Sequence, residues 1–400
     1  MKRSLLSAVL LLAPLTSALL ERDAQAWGNI GHRIVAETAA QVFEADPETG
    51  PFGPFASRQR FELGLYATLP DTAFRSRDRA HGKVEGPSHF LDLDFWLPAH
   101  LQGKNRELAL NQLNKEWQSH LLNNERGLKA HEAGTRNATP TIHGSLPWRI
   151  SALKQRAKES VKELGVFPSG YQGHSPDLPP SEAPKAPSAP IDELKRVYDW
   201  LWWAGVLAHY TGDSAVPYHA SEDYNGFKIG QGGIHFYFEA DCIQALSPGI
   251  ERPVLRRAQE IYAHWKKSPR LKEEPSLDPA IAMTLSVLDR GLKAKEIANQ
   301  LDRKSAILKI QEPGSHTFAK RKPAMKGCTA FRSILVEQLA VGAAFTAHIW
   351  KESLPENLAQ LKTAEGQGLF FAEPRWNYEY PAPPPLPTST PPSAAPSPEP

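Results

Sequence analysis

The chain has 400 residues, with 46 Lys and Arg against 44 Asp and Glu, a formal net charge of +2 with His neutral, and 41% hydrophobic residues. A balance this close to zero excludes a surface built to coat a polyanion, so any contact with nucleic acid must be local. Length alone admits two domains, or one large helical domain carrying insertions.

The chain opens on the basic Met1-Lys2-Arg3. Leu5 to Leu20 then form an apolar run shorter than the roughly 20 residues of a comfortable membrane span, and Glu21-Arg22-Asp23 breaks it. Ala24-Gln25-Ala26 supplies the small-x-small pattern that signal peptidase cuts after, so residues 1–26 read as a signal peptide and the mature chain is expected to begin at Trp27. An uncleaved anchor is the alternative. No later segment reads as apolar for long enough to cross a bilayer, which leads to the expectation of a soluble exported protein, periplasmic or secreted. Cys242 and Cys328 are the only cysteines. In an oxidising compartment they either close one disulfide or remain two buried thiols, since spacing does not place them within bonding distance.

Between Trp27 and Phe43, apolar residues recur at Ile30, Ile34, Val35, Ala39 and Val42, the three-and-four spacing that predicts an amphipathic helix. The same period predicts helices at about 105–124, 148–164, 191–213, 251–266, 279–301 and 329–350, while strand alternation is scarce. The expected fold class is therefore all-α: one helical domain over 27–380 with long loops. Residues 166–190 are rich in Pro, Ser and Gly without apolar period and predict a surface loop or linker. Residues 381–400 alternate Pro with Ala, Ser and Thr and predict an extended, disordered tail. No repeat of fixed period is present, which argues against a solenoid.

Chemistry concentrates in "LAHYTGDSAVPYHASEDYNGFKIGQGGIHFYFEAD", residues 207–241. His209 and Asp213 lie four apart at the end of a strong helix whose apolar face holds Trp200, Leu201, Trp203, Ala204 and Leu207, so both can reach a common ion. His235 and Glu239 repeat the device, and His219 lies between the pairs. Imidazole with carboxylate suits zinc, a borderline-soft ion taking nitrogen and oxygen ligands. One such pair alone more often marks a helix end or a buried histidine. Upstream, Asp71 follows Pro70, and His89 precedes Asp92 and Asp94. Taken singly, Asp71 reads as a helix cap and His89 as a core histidine.

Taken in order, Trp27, His32, Asp71 in "PD", His89 in "SHF-x-D", His209-x-x-x-Asp213, His219 and His235-x-x-x-Glu239 resemble the superfamily of zinc-dependent phospholipases C and single-strand-specific nucleases with 3'-nucleotidase activity. The resemblance runs from Trp27 to about Glu239, broken by an inserted region at about 97–195. It implies a trinuclear zinc site in a helical domain and no organic cofactor. Asp71, His89, His209 and Asp213 would hold one zinc, with Asp213 bridging to a second. His219, His235 and Glu239 would hold another, and Trp27 with His32 would complete the third alongside Asp213. A free α-amino group at Trp27, created by cleavage after Ala26, can lose its proton and chelate an ion together with the Trp27 carbonyl oxygen, which a peptide nitrogen does not do readily.

What the resemblance implies for mechanism is attack by metal-activated water on a phosphoryl centre, with no side-chain nucleophile. Asp71 is the candidate to orient or deprotonate that water, although a ligand role explains it equally well. Arg75 is a candidate phosphate clamp, displaced by one residue from its place in the nuclease branch; a solvated surface arginine is the alternative.

The two branches share this chemistry and differ in partner. "WGNIGHRIVAETA" and the Asp71 placement look like the nuclease branch, whose partners are single-stranded nucleic acid or nucleotides. "SHF" with Asp92 and Asp94, the short His219 to His235 interval and the terminal Glu239 look like the phospholipase branch, whose partner is phospholipid. The leader junction tips the expectation toward nuclease. Tyr210, Tyr218, Tyr224, Phe236, Tyr237 and Trp148 are aromatic candidates to stack a base or to line an acyl or choline pocket. A non-catalytic zinc-stabilised scaffold is the third reading, disfavoured because structural zinc sites are closed and usually rich in Cys.

Overall fold

The computed structural model describes residues 27–75, 85–96, 143–168, 191–247, 249–267 and 278–363. The leader, the helix predicted at 105–124, nearly all of the Pro-rich loop and the tail lie outside these residues.

The described chain is all-α. The predicted first helix is α1 (Gly28–Glu44), which buries Ile34, Val35, Ala39, Val42 and Phe43 and leaves Ile30 on its outer side. Two short helices that the periodicity did not signal follow, α2 (Phe52–Arg58) and α3 (Arg60–Tyr66). They are too short for a three-and-four stripe to repeat, yet they bury Phe52, Phe55 and Leu63. The remaining long helices are α4 (Leu146–Val161), α5 (Ile191–Ser214), α6 (Glu251–Lys267), α7 (Pro279–Leu301) and α8 (Arg332–Glu352). Helix α7 starts where local chemistry dictates: Asp278 accepts from the amides of Ala280 at 2.8 Å and Ile281 at 3.4 Å, and Pro279 occupies the first turn, where a missing N–H costs nothing.

Helix α5 is the spine. Trp200, Leu201, Ala204 and Leu207 are buried along it, and α1, α3, α4 and α8 pack around it. At its N-terminal half Trp200 stacks on Phe43 at 6.0 Å and meets Phe52 edge-on at 5.0 Å. Trp350 of α8 donates its indole N–H to the Ala204 carbonyl at 2.9 Å, so a large buried ring stays satisfied. Asp213 lies thirteen residues after Trp200, about 20 Å further along the helix axis. The aromatic core thus fixes a rigid rod whose far end carries the candidate site.

The region expected as inserted, about 97–195, contains α4, which buries Trp148, Ile150, Leu153 and Ala157 against α5. Also, Ala324–Glu352 is long and apolar enough to span a membrane by length and composition, where the sequence reading found no such segment. Its apolar residues are core residues: Leu335, Leu339, Val341, Phe345 and Ile349 are all buried against neighbouring helices.

Strands are minor. β1 (Val166–Phe167) pairs in parallel with β4 (Lys362–Thr363), and β2 (Ile307–Lys309) pairs antiparallel with β3 (Lys320–Arg321). Cys242 and Cys328 form a disulfide across 86 residues, tying the segment that follows Glu239 to the turn that leads into α8. Closing a loop of that length stabilises the fold by roughly 4–5 kcal/mol in the chain-entropy model.

Candidate metal centre

The site residues arrive on three kinds of backbone: α-helix, π-helical turn and 3₁₀ turn. His32 comes from the second turn of α1, and His209 with Asp213 from the last two turns of α5. Asp71 sits on a π-helical turn, Pro70–Phe74, and Glu239 on another, Tyr237–Asp241, while His235 stands on the single helical turn before it. Such turns add a residue to one helical loop and so re-aim a side chain, which is why they recur at functional sites. His89 ends the short 3₁₀ turn Gly86–His89 and His219 lies within another, Pro217–Ala220, the two held together by the Leu91 amide donating to the His219 carbonyl at 3.0 Å.

Trp27 is the only non-glycine residue at positive φ among the described residues, at 42°. A left-handed conformation costs an ordinary residue of order 1–2 kcal/mol and persists only where packing enforces it. Here the indole N–H donates to the Gly212 carbonyl at 2.7 Å, and the ring is buried against Phe238 at 6.2 Å. The fold back over α1 needs Gly31, where a Cβ would lie 2.8 Å from the Trp27 Cβ. The result brings the Trp27 backbone amide up to the Glu239 carboxylate.

The side chains converge around Asp213. Its Oδ2 lies 2.9 Å from His89 Nδ1 and 3.2 Å from His209 Nε2. Its Oδ1 faces the other way, 3.5 Å from His32 Nε2 and 3.7 Å from His219 Nδ1. Asp71 closes the near side, with Oδ1 3.8 Å from His89 and 4.0 Å from His209, and Oδ2 3.9 Å from His32. On the far side, Glu239 Oε2 lies 2.9 Å from His235 Nε2 and 3.8 Å from His219 Nε2. Three groups have ligand atoms all within 4.8 Å of one another: His32, His209 and Asp213; Asp71, His89 and His209; His219, His235 and Glu239.

All of these residues are buried. His209 is oriented by its Nδ1–H, which donates to the Ala67 carbonyl at 2.8 Å and leaves the Nε2 lone pair aimed into the cluster. Several inward atoms have no hydrogen-bond partner: Asp71 Oδ2, Asp213 Oδ1, His219 Nδ1, both His235 nitrogens and both Glu239 carboxylate oxygens. So many buried polar atoms without a partner in one place would cost several kcal/mol, each about 1–3, unless something such as a cation and its bound water satisfies them. The electrostatics agree. Burial pushes Asp71 up to about 6, and pushes Asp213 and Glu239 well above the carboxylate range. Burial likewise depresses His209, holds His89 and His219 well below the ordinary imidazole value, and takes His235 down to about 3. Neutral imidazoles beside buried carboxylates are a donor set that fits metal ions.

Arg75 is not a solvated surface residue: its Nη1 lies 3.4 Å from Asp71 Oδ1, with the side chain about a quarter exposed. The aromatic candidates divide. Trp148, Tyr210, Tyr218 and Tyr237 are buried, and Phe236 is half-buried. Only Tyr224 is open, 50% exposed, with its ring edge-on to His235 at 5.5 Å. Glu85, absent from the ordered series of candidate ligands, stands four residues before His89, the same spacing that relates His209 to Asp213. Comparison with family models, with curated proteins and with solved structures returns no match.

Proposed function

We propose that this protein is an exported zinc-dependent phosphodiesterase holding three ions, with single-stranded nucleic acid or 3'-nucleotides as the leading substrates. The observation that carries the reading is Asp213: one buried carboxylate with each oxygen aimed at a different set of imidazoles, as a bridge between ions requires. Nitrogen and oxygen donors without cysteine favour zinc and a site open to substrate over a closed structural one. Asp71, His89, His209 and Asp213 would hold one ion, His219, His235 and Glu239 a second, and His32 with Asp213 and the Trp27 terminus a third. When bound, such ions acidify water and polarise phosphoryl oxygens.

The chain's own residues supply the rest. Asp71, ion-paired with Arg75, is the candidate to accept a proton from an attacking water. Arg75, ion-paired with it, is the candidate to contact a phosphate oxygen through its planar guanidinium. Tyr224 offers an exposed face beside His235 for a base or a head group. The Cys242–Cys328 disulfide supports an oxidising compartment, and hence export and cleavage after Ala26. Cleavage would turn the buried Trp27 amide, already facing Glu239, into a free amine competent to chelate. A mature chain carrying one extra N-terminal residue is therefore expected to bind less zinc and lose most of its activity; full zinc and full turnover in that chain would remove Trp27 from the site.

The terminal Glu239, in place of the nuclease branch's Asp, favours a second reading, a phospholipase C acting on phospholipid head groups. Hydrolysis of bis(p-nitrophenyl) phosphate by processed, metal-loaded protein tests the shared chemistry, and no turnover overturns it in favour of a zinc-stabilised scaffold. Single-stranded DNA, 3'-AMP and phosphatidylcholine vesicles then separate the branches: activity on vesicles alone selects the phospholipase.

A further inference from the structure

Behind His89, on the side away from the ligand cluster, stand three polar residues with no part in the site described so far. Tyr210, buried in α5, donates its hydroxyl to Glu85 Oε1. Arg149, from α4, donates through Nη2 to Glu85 Oε2 at 3.2 Å and to the Tyr210 oxygen at 3.2 Å, with its guanidinium 5.1 Å from the centre of the tyrosine ring. Glu85 Oε1 in turn lies 3.6 Å from His89 Nε2, the ring nitrogen that points out of the cluster and has no hydrogen-bond partner. The opposite nitrogen, Nδ1, is the one 2.9 Å from Asp213 and 2.9 Å from His209.

We propose that Glu85 is the positioning residue for His89, with Arg149 and Tyr210 holding its carboxylate in place. This rests on the metal-dependent reading above. A carboxylate oxygen accepts in two directions, so Oε1 can take the His89 Nε2–H while keeping the tyrosine hydroxyl. Accepting that N–H would fix the tautomer with its lone pair on Nδ1, on the side of the ligand cluster, and a charged acceptor makes the imidazole a stronger donor than a neutral one does. His209 shows the weaker form of the device in the same cluster, its outer nitrogen held by the Ala67 carbonyl. The Arg149 guanidinium offsets the charge of Glu85, which would otherwise be buried beside the metal ligands without a cation. Helix α4 thereby reaches the centre through one side chain, which gives part of the stretch expected as an insertion a role at the site.

The test is a zinc titration of the full mature protein in competition with a chromophoric chelator, reading the binding steps separately. His89→Ala marks the step that belongs to this ion, and His235→Ala marks a step at the far side. Glu85→Ala is expected to weaken the first by about 10–100-fold and leave the second unchanged. Glu85→Gln should recover most of the loss, because the amide oxygen accepts the same Nε2–H. Arg149→Ala should act in the same direction by less, and less than additively in the double variant with Glu85→Ala. An unchanged His89 step in Glu85→Ala overturns the proposal, as does equal weakening of both steps, which would mark Glu85 as a general packing residue. Absence of zinc uptake by the wild-type protein would instead overturn the metal reading, and this inference with it.

Discussion

Asp46 and Asp213 are both buried carboxylates, and their surroundings are opposite. Asp46, just past α1, accepts from Lys266 at 2.7 Å, from Lys351 at 3.1 Å and from the Tyr262 hydroxyl at 2.7 Å. Burial pushes its pKa up, but these donors together outweigh burial and hold it well below the usual carboxylate range. Asp213 is surrounded by imidazoles, one of its oxygens has no hydrogen-bond partner, and burial drives its pKa well above the range. Asp302 repeats the first pattern in full burial, gripped by Arg321 through two contacts of 2.9 Å and by Gln231 at 2.8 Å. Where the chain needs a buried carboxylate for its fold, it supplies the cation itself. Around Asp213 it gathers instead buried His, Asp and Glu side chains that could hold metal ions.

The comparison breaks most sharply at Asp213 itself. Asp213→Asn should reduce hydrolysis by about 1,000-fold or more, on the scale of losing a principal electrostatic stabiliser. In metal-free protein, however, the same change should leave thermal stability unchanged or raise it, because it removes a fully buried carboxyl one of whose oxygens has no hydrogen-bond partner. Asp46→Asn should do the reverse, lowering stability by about 1–3 kcal/mol by removing charged hydrogen bonds while leaving activity intact. Denaturant unfolding with and without chelator checks both, and a metal-free Asp213→Asn less stable than the metal-free wild type would erase the distinction.

Chelation is the next largest effect. If solution ions complete the Asp213 cluster, saturating zinc at about 1,000 times its Kd stabilises the wild type by about 4 kcal/mol, and chelator removes this from the wild type but far less from Asp213→Asn. A pH series sharpens the other half. Because the folded pKa of Asp46 is depressed, its contribution is present above its unfolded value and is lost as pH falls through the folded one. The stability gap between wild type and Asp46→Asn should therefore hold at neutral pH and shrink below about pH 4. A gap that widens in acid would contradict the account. The smallest effect is at the rim: Tyr224→Ala should raise KM by an amount worth about 1–3 kcal/mol for a stacked base, with little change in kcat.

How legible this was differs by residue. The His209/Asp213 and His235/Glu239 pairs could be read directly, since four-residue spacing on a helix fixes a shared face, and the long helices followed from periodicity because each has several turns over which a stripe can repeat. Trp27, His32, Asp71 and His89 each admit a bland explanation when taken singly, and only the order of the whole series suggests otherwise. The structure brings them into one cluster by means that no local pattern encodes: a left-handed Trp27, two π-helical turns and a carbonyl contact between distant 3₁₀ turns. Tyr210 and Tyr218 were candidates to touch substrate because of where they fall in sequence. They are buried instead because their backbone positions face the interior, a property that aromatic type does not reveal. Glu85 was legible by spacing, but its link to Arg149 spans 64 residues and depends on α4 packing against α5.

The most direct measurement is the zinc content, by elemental mass spectrometry, of mature protein beginning at Trp27, alongside Asp213→Asn and Asp46→Asn. The account predicts about three zinc ions per chain in the wild type and in Asp46→Asn, with loss of at least two in Asp213→Asn because both of its oxygens serve separate ligand groups. Zinc at background level in the wild type, or an Asp213→Asn variant that keeps the full complement, would contradict it.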